Sequence, residues 1–495
     1  MKLTKLLDHH GIATNPFAEE DAQTDPVFKE HCIASTYHPA WDKIYGDPRE
    51  PSTSIVFGEK GAGKTAMRLQ ILQHLDRFNR EHPGKRLFAV DYDDFNPFLD
   101  RFRETLSARR RRPDRVLSEW KLWDHMDSIL SLAVTSLVDR ILEVKQPSGV
   151  AGEVDPAAVE ELDRHQARDL LLLAACYDSS TAETYKGRWH RLRRKLKYHT
   201  FKSLWDVALG WAVLVLTLGV CIFVEPRWLA TPWPYLIAVA GWLPRLVRIV
   251  RWWFRARAVV RHMRVGNHEA NPLRQVLMHF TAAEIASQPL PNKDRTDDRF
   301  EMVCKLQGLL KTLGFSGILV LVDRVDEPHL INGSAEQMKA FLWPLLDNKF
   351  LKHPGLGFKL LLPIELATYL EREEREFYQR ARLDKQNMIP SLEWSGESLF
   401  DVANDRVKAC AIDGASPNLQ SLFEEGVSEH RLIETFRTLR VPRHLFKFLN
   451  RLLIAHCNAH TEEQPVWEIP RELFEAQFAL FMRDQDAVDR GVRAG

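Results

Sequence analysis

The residues from position 58 to position 65 have the types and spacing of a phosphate-binding loop. They read Gly-Glu-Lys-Gly-Ala-Gly-Lys-Thr and match the pattern G-x-x-x-x-G-K-[ST] completely. An apolar run at 54–57 precedes them, and a helical run at 66–75 follows directly. Because strand, glycine-rich loop and helix are the context that this motif requires, the sequence predicts a site for a nucleotide phosphate chain here.

Each residue type in this loop has a physical role. The glycines permit backbone conformations that are closed to other residues, so successive N–H groups can point inward at phosphates. The helix that begins near Lys64 adds the positive end of its dipole. We expect Lys64 to reach the β- and γ-phosphates and the Thr65 hydroxyl to coordinate Mg²⁺. The predicted nucleotide-binding residues are Gly58, Glu59, Lys60, Gly61, Ala62, Gly63, Lys64 and Thr65.

A second stretch, residues 317–327, has the pattern of the other half of a nucleotide site. An apolar, β-rich run ends in Asp323, which predicts a strand buried on both faces of a parallel sheet. Such a strand delivers Asp323 beside the phosphate loop, where it can hold Mg²⁺ through water. Asp326 and Glu327 follow on the same loop, and one of them is expected to orient or deprotonate the attacking water.

Three further residues have two interpretations each. Asp91 follows a predicted strand at 86–90, where it either faces the nucleotide or belongs to a turn with capping aspartates, and we favour the turn. Arg380 and Arg382 lie in a charged segment that is mostly a solvated face. Either arginine could instead approach a γ-phosphate, in the same chain or from a neighbouring subunit.

Two uncharged segments, 207–224 and 228–244, predict a membrane hairpin. The first has 18 residues, which as a helix span about 27 Å, close to the hydrocarbon thickness of a bilayer. Residues 186–202 contain eight Lys or Arg, and residues 245–264 contain seven Arg, with no Asp or Glu in either segment. Cations on both outer flanks predict that both ends of the hairpin stay in the cytoplasm.

The tryptophans support the same prediction, because Trp205, Trp228, Trp233, Trp252 and Trp253 lie near the predicted interfaces, as in an aromatic belt. We therefore predict a multi-pass protein of the inner (plasma) membrane with both termini in the cytoplasm. The alternatives are a buried helical hairpin in a soluble protein, and a second helix that is re-entrant or interfacial because of its prolines.

Composition restricts the function classes. The chain has 495 residues, 45% of them apolar, and a net charge of +1, so its global charge does not point to nucleic acid. The basic segments flank apolar spans, and lipid headgroups explain them better than nucleic acid does. The six cysteines include no C-x-x-C pair, which argues against a zinc site or a disulfide framework. The N-terminus lacks the apolar core of a signal peptide.

The predicted fold class is α/β, with a P-loop parallel sheet interrupted by a helical insertion and a membrane hairpin. The predicted divisions are an N-terminal arm at 1–50, the first part of the ATPase core at 51–110, a helical insertion at 111–202, the hairpin at 203–250, a helical return at 251–299, the second part of the core at 300–395, and a C-terminal helical lid at 396–495.

These motifs resemble the AAA+/STAND side of the P-loop ATPases. The resemblance rests on residues 58–65, on the loop at 322–327 and on the helical C-terminal region. The layout is also similar to the KAP group, in which a membrane hairpin lies between the phosphate loop and the Mg²⁺-holding strand. The resemblance implies ATP and Mg²⁺ as cofactors, and a catalytic set of Lys64, Asp323, Asp326, Glu327 and Arg443.

Arg443 enters that set because its placement is similar to that of the second-sensor arginine of the AAA+ lid. Two features depart from the family patterns. Residues 323–327 read Asp-Arg-Val-Asp-Glu, nearer the NACHT-type STAND pattern than the KAP pattern, and the predicted strand at 358–362 leads into Pro363 rather than a polar sensor residue. We expect a lid or a neighbour to close in order to bring Arg443 to the γ-phosphate.

The function predicted from these features is a membrane-anchored cytoplasmic ATPase that drives a conformational switch. The resemblance implies membrane-linked processes and, in bacteria, phage defence or signalling, with a homo-oligomer or a partner protein. Two alternatives remain open: an ATPase that acts on nucleic acid, and a nucleotide-binding scaffold that never turns over.

Overall fold

The computed structural model describes residues 1–144, 154–200, 205–223, 227, 231–286, 288–346, 349–381, 383 and 386–489. A five-stranded sheet in the order β2-β3-β4-β1-β5 lies at the centre, and all its strand pairs are parallel. The predicted α/β class with a parallel sheet is therefore confirmed. The strands are β1 (Ser54–Gly58), β2 (Arg86–Tyr92), β3 (Phe315–Val322), β4 (Leu356–Pro363) and β5 (Asn387–Ile389).

The strands β1, β3 and β4 are almost completely buried because helices cover both faces of the sheet. The carboxyl ends of β1 and β3 lie at the same edge of the sheet, where only β4 separates them. The edge strand β5 is short, since only Asn387–Ile389 pairs with β1.

The helices that precede Trp205 are α1 (Leu3–His9), α2 (Trp41–Tyr45), α3 (Lys64–Glu81), α4 (Asn96–Thr105), α5 (Pro113–Val116), α6 (Leu122–Ile141), α7 (Pro156–Glu160), α8 (Arg164–Tyr177) and α9 (Tyr185–Lys195). Those that follow are α10 (Trp205–Phe223), α11 (Trp233–His262), α12 (Ala270–Leu277), α13 (Ala282–Ala286), α14 (Asp297–Thr312), α15 (Ala335–Leu346), α16 (Glu365–Glu371), α17 (Arg375–Ala381), α18 (Gly396–Ala409), α19 (Glu429–Leu439), α20 (Pro442–Ala459) and α21 (Arg471–Asp489).

The apolar side chains form separate cores. The largest joins one face of the sheet to α6, α8, α14 and α15, and it includes the apolar run at 170–176 of α8. A second core packs Leu6, Leu7, Ile12 and Phe17 of the N-terminal arm against α18 to α21. The arm and the C-terminal helices thus form one packed unit, although they lie at opposite ends of the sequence.

Helices α10 and α11 pack against each other in antiparallel fashion. The ring centroids of Trp211 and Trp242 are 5.9 Å apart, and a Cβ atom added to Gly210 would lie 2.9 Å from the Trp242 ring. Helix α11 is longer than the uncharged segment 228–244, because it continues through Pro244 to His262. A proline inside a helix removes one backbone hydrogen bond, but it does not always end the helix.

Of the described residues, only α10 forms a helix that is long and apolar enough to cross a membrane by length and composition. Just 17% of its apolar window is buried. Helix α11 does not meet the same test, since prolines and arginines interrupt its apolar half. Large apolar side chains are nevertheless exposed along both helices, from Trp205 at 72% to Phe254 at 62%.

The placement of the tryptophans differs in part from the predicted belt. Trp205 and Trp233 are exposed, at 72% and 69%. Trp252 is only 2% exposed and belongs to the main core, so its assignment to a membrane interface is wrong. It is buried because it lies on the face of α11 that carries Ala256 and Val259, which also pack into the core. Trp228 lies outside the described residues.

Candidate functional site

The phosphate loop connects the end of β1 to the start of α3. Gly61 and Gly63 have φ angles of 90° and 94°, a left-handed region that glycine adopts without steric cost. Gly61 also meets another element closely, because a Cβ atom added there would lie 2.6 Å from Cβ of Arg443. The sequence places glycine where both the backbone conformation and the space require it.

Lys64 and Thr65 are the first residues of α3. Nζ of Lys64 donates hydrogen bonds to the carbonyl oxygens of Gly58 at 2.7 Å and Glu59 at 2.9 Å. Burial lowers the pKa of Lys64, while the carboxylates of Asp323 and Asp326 act in the opposite direction and favour its charged form. Lys64 is thus a half-buried cation folded back over its own loop.

Thr65 and Asp323 form the contact that joins the two halves of the predicted site. Oγ1 of Thr65 donates a hydrogen bond of 2.9 Å to Oδ2 of Asp323, across 258 positions of sequence. Neighbouring ligands around an octahedral Mg²⁺ at about 2.0–2.1 Å are themselves about 2.9 Å apart. A hydroxyl and a carboxylate with this spacing fit a Mg²⁺ ion, held by Asp323 directly or through water.

Asp323 is only 1% exposed. Burial raises its pKa, and the nearby Arg68 guanidinium is the strongest influence in the opposite direction, followed by the hydrogen bond from Thr65. The groups that favour the ionised form, which a metal needs, are therefore these neighbours and not water.

Arg68 is a residue that the motif analysis missed. Its side chain is 4% exposed, and it lies among three carboxylates at the carboxyl edge of the sheet. Nε is 3.6 Å from Oδ2 of Asp323, Nη1 is 3.6 Å from Oδ1 of Asp91, and Nη1 also pairs with Asp93. Thr65 and Arg68 are three residues apart, so they lie on the same face of α3. This spacing is visible in the sequence and could have identified Arg68.

The preferred interpretation of Asp91 as a capping residue is wrong. Asp94 accepts the hydrogen bond of the turn, from the backbone N–H of Asn96 at 3.2 Å. Asp91 instead points at Arg68, and burial raises its pKa to about 6. It contacts the site through the guanidinium and not as a direct ligand.

The loop after β3 holds the two candidate bases. Arg324 has a φ of 59°, a left-handed conformation that is uncommon for a residue other than glycine and often marks a functional site. Its Nε lies 3.2 Å from Oε1 of Glu327, which is exposed, whereas Asp326 is half-buried. Burial raises the pKa of Glu327, and Arg324 opposes that shift. Both acids line the same cavity as the phosphate loop.

Arg443 lies at the start of α20 and is already in contact with the phosphate loop. Its backbone N–H donates to the carbonyl oxygen of Gly61 at 3.4 Å, so no closure is needed to bring this residue to the loop. Its Nε lies 3.6 Å from Oε2 of Glu20, and Nζ of Lys447 lies 3.1 Å from the same oxygen. The side chain of Arg380 and the whole of Arg382 lie outside the described residues.

A cavity of ≈ 190 Å³ extends from the loop between the arm and the C-terminal helices. Phe28, Trp394 and Phe446 contribute apolar walls, and Nε1 of Trp394 donates to the carbonyl oxygen of Ala62 at 2.9 Å. The arrangement offers cations and backbone N–H groups at one end and apolar surface at the other, as an anionic ligand with an aromatic ring requires.

A buried ion pair joins the N-terminal arm to α18 beside this cavity. The sequence contains no motif that predicts it. Asp25 of the arm and Arg406 of α18 are 2.6 Å apart, with side chains 3% and 4% exposed. Nε of Arg406 also donates to the carbonyl oxygen of Pro16 at 2.7 Å. The arm is thereby held against α18 beside the phosphate loop.

Comparisons of the chain with protein-family models, with curated proteins and with solved structures find no match. The fold and the site define an α/β protein whose parallel sheet carries a complete phosphate-loop motif at its carboxyl edge. The resemblance to the KAP and STAND ATPases stays a prediction.

Proposed function

We propose that the protein is a P-loop ATPase, anchored to the membrane, that binds ATP with Mg²⁺ and uses it to drive a conformational switch. The observation that carries the proposal is the 2.9 Å hydrogen bond between Thr65 and Asp323. It joins a complete phosphate-loop motif to a carboxylate at the end of the expected buried strand. The loop motif and the carboxylate at the strand end are independent features, and a nucleotide site requires both at the same edge of the sheet.

The residues have separable roles in this proposal. Lys64 would exchange its two loop carbonyls for the β- and γ-phosphates, while Thr65 and Asp323 would hold Mg²⁺. The metal, when bound, neutralises charge that develops on the transferred phosphoryl group. Glu327 or Asp326 would accept a proton from the attacking water.

The switch would involve the arm and the C-terminal helices. The guanidinium of Arg443 is paired with the Glu20 carboxylate. A γ-phosphate would attract the same guanidinium. Nucleotide binding would therefore compete with this ion pair and change how the arm and α20 meet. Partner proteins or further copies of the chain would read that change, and the resemblance to KAP-like proteins suggests defence or signalling as the setting.

The membrane anchor is proposed for the pair α10 and α11. Large apolar side chains are exposed along both helices, an arrangement that water does not favour and hydrocarbon does. We place the anchor in the inner (plasma) membrane, with the sheet and both termini in the cytoplasm.

The test compares ATP binding by the full-length protein with that of Lys64→Ala and Asp323→Asn. Loss of ATP affinity in the first variant, and loss of the Mg²⁺ dependence in the second, are the expected results. Lys85→Ala is the control, because this exposed lysine lies in the loop between α3 and β2 and does not line the cavity at the phosphate loop. Unchanged ATP affinity in folded Lys64→Ala protein would contradict the proposal.

Turnover is tested with Glu327→Gln, which should retain bound ATP and lose hydrolysis because only the proton acceptor is removed. If Glu327→Gln and Asp326→Asn both hydrolyse ATP at the wild-type rate, neither acid is the base. If wild-type protein in liposomes shows no hydrolysis at any protein density, the protein is a nucleotide-binding scaffold.

A further inference from the structure

We propose that the exposed arginines of α11 bind the phosphate headgroups of anionic phospholipids. We call Arg251, Arg257 and Arg261 the arginine face. The proposal rests on the membrane anchor proposed above and adds the lipid class and the residues that recognise it. Its basis is the way the structure sorts the many cations around the helical pair into those with carboxylate partners and those without.

Four of the eight cations in the first basic segment, 186–202, have carboxylate partners within the protein. Arg188 is 1% exposed and lies 2.6 Å from both Asp139 and Asp178. Three other cations of the segment also have acidic partners: Arg191 with Glu183, Lys195 with Glu143, and Lys197 with Glu160. These side chains need no membrane to account for their charge.

The second basic segment divides into two groups. Arg245 and Arg248 lie 3.4 Å and 3.1 Å from Asp206, which is itself 7% exposed at the start of α10. Arg264 pairs with Asp124, and the half-buried Arg255 lies over the Trp252 ring, 5.0 Å from its centroid. In the described ranges no carboxylate pairs with the residues of the arginine face, and all three are exposed. The arginine face therefore carries three exposed charges, and of these Arg257 also lies over the Trp253 ring, 5.0 Å from its centroid.

The arginine face continues a stripe of exposed apolar residues. Val247, Val250 and Phe254 are 57%, 52% and 62% exposed, and at about 100° per residue they share one side of α11 with the arginine face. Arg261 is about 10 Å along the helix from Phe254, and the polar layer on each side of a bilayer is about 5–8 Å thick. With Val247 in hydrocarbon and Phe254 at its boundary, Arg257 and Arg261 would reach the phosphates directly. Arg251 lies between Val250 and Phe254, and its long side chain would extend to the same layer.

Charge and shape together favour a lipid phosphate. Arginine guanidinium groups bind phosphate in a bidentate geometry and extend from apolar stems. A nucleic acid would also meet the charge, but it would leave Val247, Val250 and Phe254 in water. Each arginine near an anionic membrane surface contributes about fivefold in affinity, so three of them would give about a hundredfold.

The experiment measures binding of fluorescent phosphatidylglycerol and phosphatidylcholine to the full-length protein in mild detergent at two salt concentrations. We expect a preference for phosphatidylglycerol that weakens with salt. Arg251→Gln/Arg257→Gln/Arg261→Gln should lose about a hundredfold in that affinity. The matched control is Arg191→Gln/Lys195→Gln/Lys197→Gln, which removes three cations that already have partners and should keep the preference.

A charge-retaining variant with lysine at the three positions of the arginine face should keep a salt-sensitive preference, and circular dichroism verifies that each variant is folded. Equal binding of the two lipids, or a preference that the glutamine variant retains, would overturn the proposal. Equal affinity for inorganic phosphate would assign the site to a free anion, and tighter binding of a duplex DNA that requires the same arginines would assign it to nucleic acid. Either result also overturns it.

The two proposals fail separately. If carbonate releases the protein from membranes, the anchor is wrong, and vesicles of phosphatidylglycerol then test the arginine face on the released protein. ATP affinity, measured on the same glutamine variant, should equal that of the wild type because the phosphate loop is not changed.

Discussion

Replacing Arg68 with methionine should move the pH dependence of Mg²⁺-nucleotide binding. In the wild type the guanidinium separates Asp323 from Asp91 and Asp93 at the edge of the sheet. Methionine keeps the apolar stem of the side chain and removes the charge. Three carboxylates are then left in a buried space without the cation that favours their ionised forms.

The size of the effect follows from the geometry. Nε of Arg68 is 3.6 Å from Oδ2 of Asp323, and the two side chains are only 4% and 2% exposed, so solvent screens the pair weakly. At an effective dielectric constant of about 20, charges at this separation interact by about 4–5 kcal/mol, which corresponds to about 3 pH units. Proton uptake by Asp91, whose pKa of about 6 also depends on Arg68, reduces this upper value.

The direction of the change is fixed by the metal. Asp323 must be ionised to hold Mg²⁺, so binding is lost as the pH falls through its pKa. Burial already raises that pKa, and Arg68 lowers it. Without Arg68 the pKa rises further, and we expect the acidic limb of Mg²⁺-dependent ATP binding to move upward by one to about three pH units.

The assay is ATP affinity with Mg²⁺ and with EDTA, between about pH 5.5 and 8.5. Only the Mg²⁺-dependent part should shift, and Arg68→Lys should restore much of the wild-type profile. Arg77→Met is the matched control, because Arg77 is an exposed arginine of the same helix. An identical midpoint in Arg68→Met and wild type would refute the reasoning.

Two further changes test how the enclosure is built. Gly61→Ala requires a left-handed alanine, at about 1–2 kcal/mol, and places a Cβ atom 2.6 Å from α20, so ATP affinity should fall, whereas Gly84→Ala, with nothing within 4 Å, should bind ATP as the wild type does. Asp25→Ala leaves Arg406 buried without its carboxylate, so the melting temperature should fall with a cost of about 3–5 kcal/mol, and adding Arg406→Met should recover part of it. Wild-type melting of Asp25→Ala would show that this pair does not hold the arm.

The sequence predicts those parts of the site that are formed by residues close together in the chain. The phosphate loop lies between β1 and α3 within a few residues of chain, and Asp323 directly follows β3, so strand periodicity and motif spacing suffice to find both. The contacts of Arg68 and Arg406 join residues that lie far apart, and no local pattern specifies such a partner. Trp252 shows the same limit, because composition cannot tell which face of α11 meets the core.

A long insertion separates Thr65 from Asp323, and the structure contains a physical reason why the site can tolerate it. Arg299, fully buried at the start of α14, pairs with Asp127 of α6 at 3.0 Å and donates to the carbonyl oxygen of His262 at 3.0 Å. Removing one partner of such a buried pair is costly, so the point at which the chain returns from α11 is firmly held. Helix α14 then leads directly into β3, whose register is set by β2 and β4 on either side. The position of Asp323 therefore depends on the sheet and on this buried pair, and not on where the far ends of α10 and α11 lie.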